Sequence, residues 1–446
     1  MKVILVAYNN DSYISYFPLG IAYIAAVLRN NGHEVTIYNQ DLYHYPEHHL
    51  VDYLNSESFD MVGVGMCGGY YQYHRLDEIS KAIRQVKRKP LYVLGGHLVS
   101  PDPWFFIKKM GADVVVVGEA EKAMLDFCNA KDKHNLRTPL VIGAKKHMAM
   151  ENIPLPAWDL FPMDYYALMR CPHAENSDRC FPVLTGRGCP YRCNFCYRLD
   201  PNYRPREIAD IVEEIKLLKE RYRITYIDFA DELFMTHPKR VLDLCEALKP
   251  LKIKFMCNGR LNFAKPHILK AMKEAGCEFI NYGIESYNDD MLEVMNKHLT
   301  VKEIKEGIKN TLDAGISPGF NIIWGNIGET KEHLWNGVNF LIEYDDHAQL
   351  RTIRPVTPYP NSDLYKYAVE KGMLTGIEDF YNKHTNSDLL TVNFTDLTDD
   401  EYYEELKKAN KVLIENYYKA QSHNLLGQTD KLYDKKDASF RGYRQI

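Results

Sequence analysis

Three cysteines fall within eight positions of the stretch TGRGCPYRCNFCYR, residues 185–198: Cys189, Cys193 and Cys196, spaced C-x3-C-x2-C. Thiols gathered this closely point to metal or redox chemistry rather than to packing. A closed zinc site takes four ligands, usually in two pairs. Here only Cys193 and Cys196 form such a pair, no second pair follows, and Cys180 would have to serve as the fourth ligand. A ferredoxin run, C-x2-C-x2-C-x3-C, needs a fourth thiol that is missing. An exchange dithiol at Cys193 and Cys196 would leave Cys189 idle. A four-iron, four-sulfur cluster with three protein ligands uses all three thiols and leaves one iron open to a small chelating ligand. The other seven cysteines (Cys67, Cys128, Cys171, Cys180, Cys245, Cys257 and Cys277) are scattered and read as small core residues.

The elements around this loop are those of an α/β protein. In residues 1–130, short Val-rich runs (3–7, 34–39, 61–66, 91–96, 113–118) alternate with helical patterns (19–32, 74–88, 119–130). Continuous apolar runs suit strands buried on both faces, and the alternation predicts a doubly wound parallel sheet of flavodoxin or Rossmann type. Residues 131–178 break the rhythm; the proline-bearing 152–166 reads as a linker packed between domains. Six further strands follow (181–185, 224–230, 253–258, 278–284, 320–325, 350–356), too few for a closed eight-fold barrel, so a partial (β/α)6 barrel is expected. Thr398 with Glu401 three residues on is a capping-box start for a C-terminal helical segment, and the last 25 residues show little period. The expected domains are 1–133, a linker 134–178, 179–370 and 371–446.

The 446 residues are 46% hydrophobic and 26% charged, as in globular chains, and the net charge of −5 gives no basic footprint for nucleic acid. No run reaches a membrane span and the N-terminus is too strand-like for a signal peptide. A cytoplasmic protein, monomeric or a weak dimer, is expected. GVGMCG (63–68) matches G-x-G-x-x-G, but it follows the third strand and no acid ends the next, so it is not read as a dinucleotide fingerprint.

With Phe195 before the last cysteine, the C-x3-C-x2-C stretch after the first strand of a partial barrel resembles the signature of the radical S-adenosylmethionine (radical SAM) enzymes. The resemblance implies that the open iron chelates the methionine moiety of S-adenosylmethionine, and that reductive cleavage gives a 5′-deoxyadenosyl radical that abstracts hydrogen. It implies a one-electron donor such as flavodoxin or ferredoxin, and oxygen sensitivity. Carried over by position, Asp231 and Glu232 in ADEL stand for the family's Gly-Gly-Glu-like element, although no Gly-Gly is present. Glu285 in NYGIES resembles the ribose motif. Gly325 and Glu329 fit the adenine-side element in GFNIIWGNIGET, and Arg260 is the candidate partner of the methionine carboxylate.

The first domain is similar to the cobalamin-binding domain found ahead of many of these enzymes, through FPLGIAYIAAVLRNNGHEVTIYNQD (17–41), LYVLGGHLVS (91–100) and VVVGEAE (115–121). The resemblance implies cobalamin contacts at Leu19, Gly20, Gly65, Met66, Tyr70, Gly95, Gly96, His97, Gly118 and Glu119, with Tyr71 in the same loop. The Asp-x-His-x-x-Gly signature of a histidine ligand to cobalt is absent; Asp41 and His44 have the wrong spacing, so cobalamin is expected base-off without a histidine ligand. The implied activity is methyl transfer from methylcobalamin to an unactivated carbon of a small molecule, in a class B methyltransferase-like enzyme. Cyclisation, ring contraction or oxidation with the same cofactors, a radical enzyme whose first domain is degenerate, and a non-catalytic iron–sulfur redox sensor are the alternatives. Methylthiotransferases and peptide-modifying relatives carry further cysteines that this chain lacks.

Overall fold

The computed structural model describes residues 1–11, 16–131, 138–200, 202–436 and 438–439. The N-terminal sheet contains β1 (Lys2–Ala7), β2 (Glu34–Asn39), β3 (Met61–Gly65), β4 (Leu91–Gly95), β5 (Val114–Val116) and β6 (Leu140–Ile142). All are parallel, in the order β2-β1-β3-β4-β5-β6. The apolar runs of the central strands β1, β3, β4 and β5 are buried on both faces, as continuous apolar runs require, while the edge strands β2 and β6 are mostly half-buried. The chain leaves β1 toward one edge and returns for β3 on its other side, so the crevice beyond Ala7 and Gly65 is the topological switch point, where open sheets bind ligands.

β6 falls inside the expected linker, and its three residues are too short a run to stand out. The helix Pro103–Met110 also lies in a stretch left unassigned by periodicity, although its signals are local: Asp102 caps Phe105 N, Pro103 opens the helix, and Gly111 at φ 71° ends it.

The second sheet uses β7 (Cys180–Val183), β10 (Tyr226–Phe229), β11 (Lys254–Gly259), β12 (Cys277–Glu285), β13 (Ser317–Trp324) and β14 (Arg354–Pro355), with a small hairpin of β8 (Gly186–Arg187) and β9 (Arg204–Pro205) after β7. The order β14-β13-β12-β11-β10-β7 is parallel throughout and open at both ends, a curled half-barrel. The expected last strand, 350–356, shrinks to two paired residues. Its exposed edge is instead covered from outside: Asn410 of the C-terminal helix donates to Ile353 O at 2.9 Å and accepts from Ile353 N at 2.8 Å, as a neighbouring strand would.

That helix, Asp399–Tyr433, begins at the capping box of Thr398 and Glu401. It continues through much of the segment expected to lack period; residues 437 and 440–446 lie outside the described residues. The preceding short helix, Ile377–Lys383, packs on the N-terminal domain, where Tyr381 stacks on Tyr73 at 4.3 Å. Among the described residues no helix is long and apolar enough to cross a membrane.

One aromatic cluster joins the two sheets through the segment 152–166. Phe17, fully buried before the helix Leu19–Asn30, meets Phe161 at 4.9 Å, Tyr166 at 5.4 Å and Phe181 of β7 at 4.7 Å. Phe17→Ala is expected to cost about 3–5 kcal/mol, the usual range for a buried Phe truncation. The measurement is the shift of the urea unfolding midpoint; an unchanged midpoint would deny Phe17 this joining role.

Candidate cofactor sites at the domain junction

The cysteine segment lies at the tips of the second sheet and is tied down along its length. Cys189 N donates to Asp200 O at 3.3 Å, Asn194 N to Met295 O at 3.0 Å, and Leu364 N to Asn194 O at 2.8 Å. Asn194 and Asn326 exchange side-chain amide bonds, and Asn296 Nδ2 donates to Arg192 O at 2.7 Å. Gly188 enters the loop at φ 87°, where a side chain would overlap the Asn202 carbonyl.

Cys189 and Cys193 are half-buried and Cys196 is exposed. Burial raises the Cys189 thiol, and the loss of water around the crowded loop together with the neighbouring thiols pushes Cys196 up to about 12, although the residue keeps an accessible edge. Without iron the Cys189 and Cys196 sulfurs hold their protons, so metal binding must release them. Among the described residues no three His, Cys, Asp or Glu side chains converge on one ion. Ligands of a multi-iron cluster bind different irons and need not share one centre, so the three-thiol donor set fits a cluster rather than a single metal.

The carboxylates carried over by resemblance have different surroundings. Asp231 is buried and consumed: its oxygens accept from Thr185 N at 2.6 Å and Thr185 Oγ1 at 2.5 Å, welding the tips of β7 and β10. Glu232, next in the chain, is pushed up to about 7 by burial and by Asp200, and its electrostatic field reaches Cys189 and Cys196. Glu285 ends β12 at φ 69°, a costly backbone for a non-glycine residue, and its carboxylate bonds Lys297 Nζ at 3.0 Å. Lys297 lies 6.0 Å over the Phe195 ring, which places Phe195 beside that pair.

Arg260 sits 3.5 Å over the Tyr191 ring and donates through Nη2 to the carbonyls of Lys297 and His298, leaving Nε buried without a partner. It therefore clamps the cysteine loop, and one donor remains for a ligand. Gly325, at φ 99°, has its N–H on Glu329 at 2.7 Å, and a side chain there would strike the Tyr402 hydroxyl. Glu329 is nearly fully buried, which pushes it up to about 7.

In the N-terminal domain a cavity of about 610 Å³ opens at the strand tips. Leu19, Gly20, Gly65, Met66, Gly95, Gly96, His97, Gly118 and Glu119 line it. It continues down one face of the sheet, past Leu5, Gly63 and Val93, under the helix Leu19–Asn30. At Gly20 and Gly118 an added Cβ would meet no atom, so side chains there would stand in open space at the cavity wall. Gly96 is required for a different reason: at φ 94° its Cβ would run into the Met66 carbonyl. This deep, largely apolar slot with glycine rims suits a bulky ring with a long appendage.

Tyr70 is not brought to the cavity; its ring packs edge-on against His74 at 4.4 Å, and Tyr71 donates to Asn9 O at 3.2 Å. Cys67 corrects the reading of seven core cysteines. It is exposed at the cavity wall beside Tyr8, whereas the other six are buried. His97 is the one histidine among the described lining residues; burial holds it below its ordinary value, and its ring bonds the Tyr197 main chain. The His97 and Tyr197 rings meet at 4.7 Å, so the first domain touches the residue after Cys196.

Glu119 lines the cavity, but its oxygens are taken by Arg187 at 3.1 Å and by Arg204. Its role is docking. Arg187 also reaches Glu121 at 2.7 Å, and Arg204 Nε bonds Asp200 at 2.8 Å. Sequence reasoning missed Tyr8, Cys67, Arg187, Asp200 and Arg204, which belong to no spaced motif.

Asp231 titrates in a testable way. Burial pushes it from 3.8 up to about 7, so the folded state binds more protons than the unfolded one between those values. Its contribution to stability is therefore full at low pH and is lost as pH rises through about 7. Metal-free protein should show a falling thermal midpoint from pH 5 to pH 7.5, and Asp231→Asn should flatten that slope. An unchanged slope would deny Asp231 this role.

Comparison with known proteins fits this geometry. Residues 183–341 match the Radical SAM superfamily, and residues 6–127 match the B12 binding domain. An uncharacterized methyltransferase of Pyrococcus horikoshii is 28% identical over 415 residues, covering 87% of each chain. Bacteriochlorophyllide d C-8(2)-methyltransferase of Chlorobaculum tepidum is 26% identical over 362 residues, covering 75% of each. The solved structure of the radical S-adenosylmethionine methyltransferase TsrM from Kitasatospora setae, with cobalamin and a 4Fe-4S cluster bound, shares the fold. Its TM-score is 0.68 at 17% identity, over 83% of this chain and 75% of that one. The chain thus joins a B12 binding domain to a Radical SAM half-barrel.

Proposed function

We propose that the protein methylates an unactivated carbon of a small molecule, using a 4Fe-4S cluster, S-adenosylmethionine and cobalamin. The observation that carries this reading is the adjacency of the two sites. The cavity of the B12-binding domain is walled partly by Leu184, Arg187 and Leu199, which flank the cysteine segment, and His97 touches Tyr197. When bound, the cluster with S-adenosylmethionine supplies a radical that removes hydrogen, and methylcobalamin supplies the methyl group.

The chain's own residues position and enclose. Cys189, Cys193 and Cys196 hold the cluster. Glu232, which makes no hydrogen bond or ion pair among the described residues, would take the amino group of S-adenosylmethionine, and the Nε of Arg260, buried without a protein partner, would serve its carboxylate. Glu285 holds the ribose beside Phe195, and the backbone at Gly325 lies along the adenine. The slot under the helix Leu19–Asn30 would hold a base-off cobalamin, a reading supported by His97 being engaged by the Tyr197 main chain. A one-electron donor such as flavodoxin or ferredoxin would serve as the partner.

The test is metal content. Protein made without oxygen, with cobalamin supplied and the cluster reconstituted, should carry about four iron and about one cobalt per chain. Replacing Cys189, Cys193 and Cys196 together by Ala should remove iron and leave cobalt. Gly96→Ala, which drives a side chain into the Met66 carbonyl, should remove cobalt and leave iron. Iron retained in the triple variant would overturn the cluster assignment, and wild-type protein without cobalt would remove cobalamin from the mechanism.

A further inference from the structure

One carboxylate on the concave side of the half-barrel has no counter-charge among the described residues. On β11, Phe255, Cys257 and Gly259 are buried, the first two in the core beneath the outer helices, while Met256 and Asn258 are half-buried on the opposite face. On that face three amides form a chain. Asn321 Nδ2 donates to Asn281 Oδ1 at 2.9 Å, Asn281 Nδ2 to Asn258 Oδ1 at 3.1 Å, and Asn258 Nδ2 to Asp231 O at 2.9 Å. The chain ends at Asn321, which is exposed.

Asp228 lies on the same face, in register with Met256 and half-buried. Its one side-chain partner among the described residues is the Tyr16 hydroxyl, at 3.2 Å, and none of the ion pairs there includes it. Burying a carboxylate without a cation is costly, and the usual remedy is a partner of opposite charge. Tyr16 also lines the cavity of the B12-binding domain. The Asp228–Tyr16 contact therefore stands where the half-barrel and that cavity meet, and a substrate worked on by both cofactors must reach this place.

We propose that Asp228 anchors the substrate through a protonated amine, and that the Asn258–Asn281–Asn321 chain receives its neutral polar groups. The substrate is then a small, amine-bearing polar compound. This rests on the radical-enzyme reading above.

The experiment uses reconstituted holoenzyme, with iron and cobalt counted in each sample. Equilibrium dialysis compares three amines with their acetylated forms: glucosamine with N-acetylglucosamine, tyramine with N-acetyltyramine, and lysine with Nε-acetyllysine. In at least one pair the amine should bind about tenfold tighter, as expected for a charge-assisted bond. Asp228→Asn, equal in size, should bring that preference to within about twofold while retaining both metals. No preference in any pair, or a preference that survives Asp228→Asn, would overturn the anchor while leaving the radical-enzyme reading intact. A wild-type sample without iron or cobalt would overturn that reading, and the anchor with it.

Discussion

Everything at the active face depends on one ion network. Glu119 and Glu121 follow β5 of the first sheet; Arg187 and Arg204 sit on the hairpin after β7 of the second. Asp200 extends the network, and its backbone carbonyl receives the N–H of Cys189. The network thus runs from the rim of the N-terminal cavity to Cys189, the first of the three clustered cysteines. Partly buried ion pairs of this kind add little net stability, because desolvation offsets their attraction. What they do well is fix register, since each charge left unpaired by a shift would be strongly penalised. The docking angle between the two domains is the quantity that such a network fixes.

The aromatic cluster around Phe17 supplies what the charges do not. It buries apolar area between the helix Leu19–Asn30, the segment 152–166 and β7. The helix Ile377–Lys383 then returns from the far end of the chain to the N-terminal domain, so the half-barrel is clasped at both ends. Within that frame the carboxylates divide by function. Asp231 and Glu329 are spent on backbone N–H groups at strand tips and stiffen them, whereas Asp228 accepts only from the Tyr16 hydroxyl among the described residues.

Much of this was readable from the sequence. The Val-rich runs marked the buried parallel strands, and the spacing of the three thiols marked the loop that lies at the tips of the second sheet. Glycines after strands marked the cavity rim: Gly95, Gly96 and Gly118 all lie there. Interactions between distant segments were not readable. Nothing local distinguishes Glu119, which docks the domains, from a ligand contact, or Asp231 from its neighbour Glu232. Cys67 looked like the other scattered cysteines because its exposure depends on a cavity formed by four strands. The helix Asp399–Tyr433 outran its periodic half because its later turns bury none of the described side chains.

The central claim is that the two cofactor sites abut. Electron paramagnetic resonance on protein carrying both cob(II)alamin and the reduced cluster tests it most directly. Abutting sites predict mutual broadening and splitting of the two signals, lost when the cluster is oxidised. A spectrum that is the simple sum of two isolated centres would contradict the account.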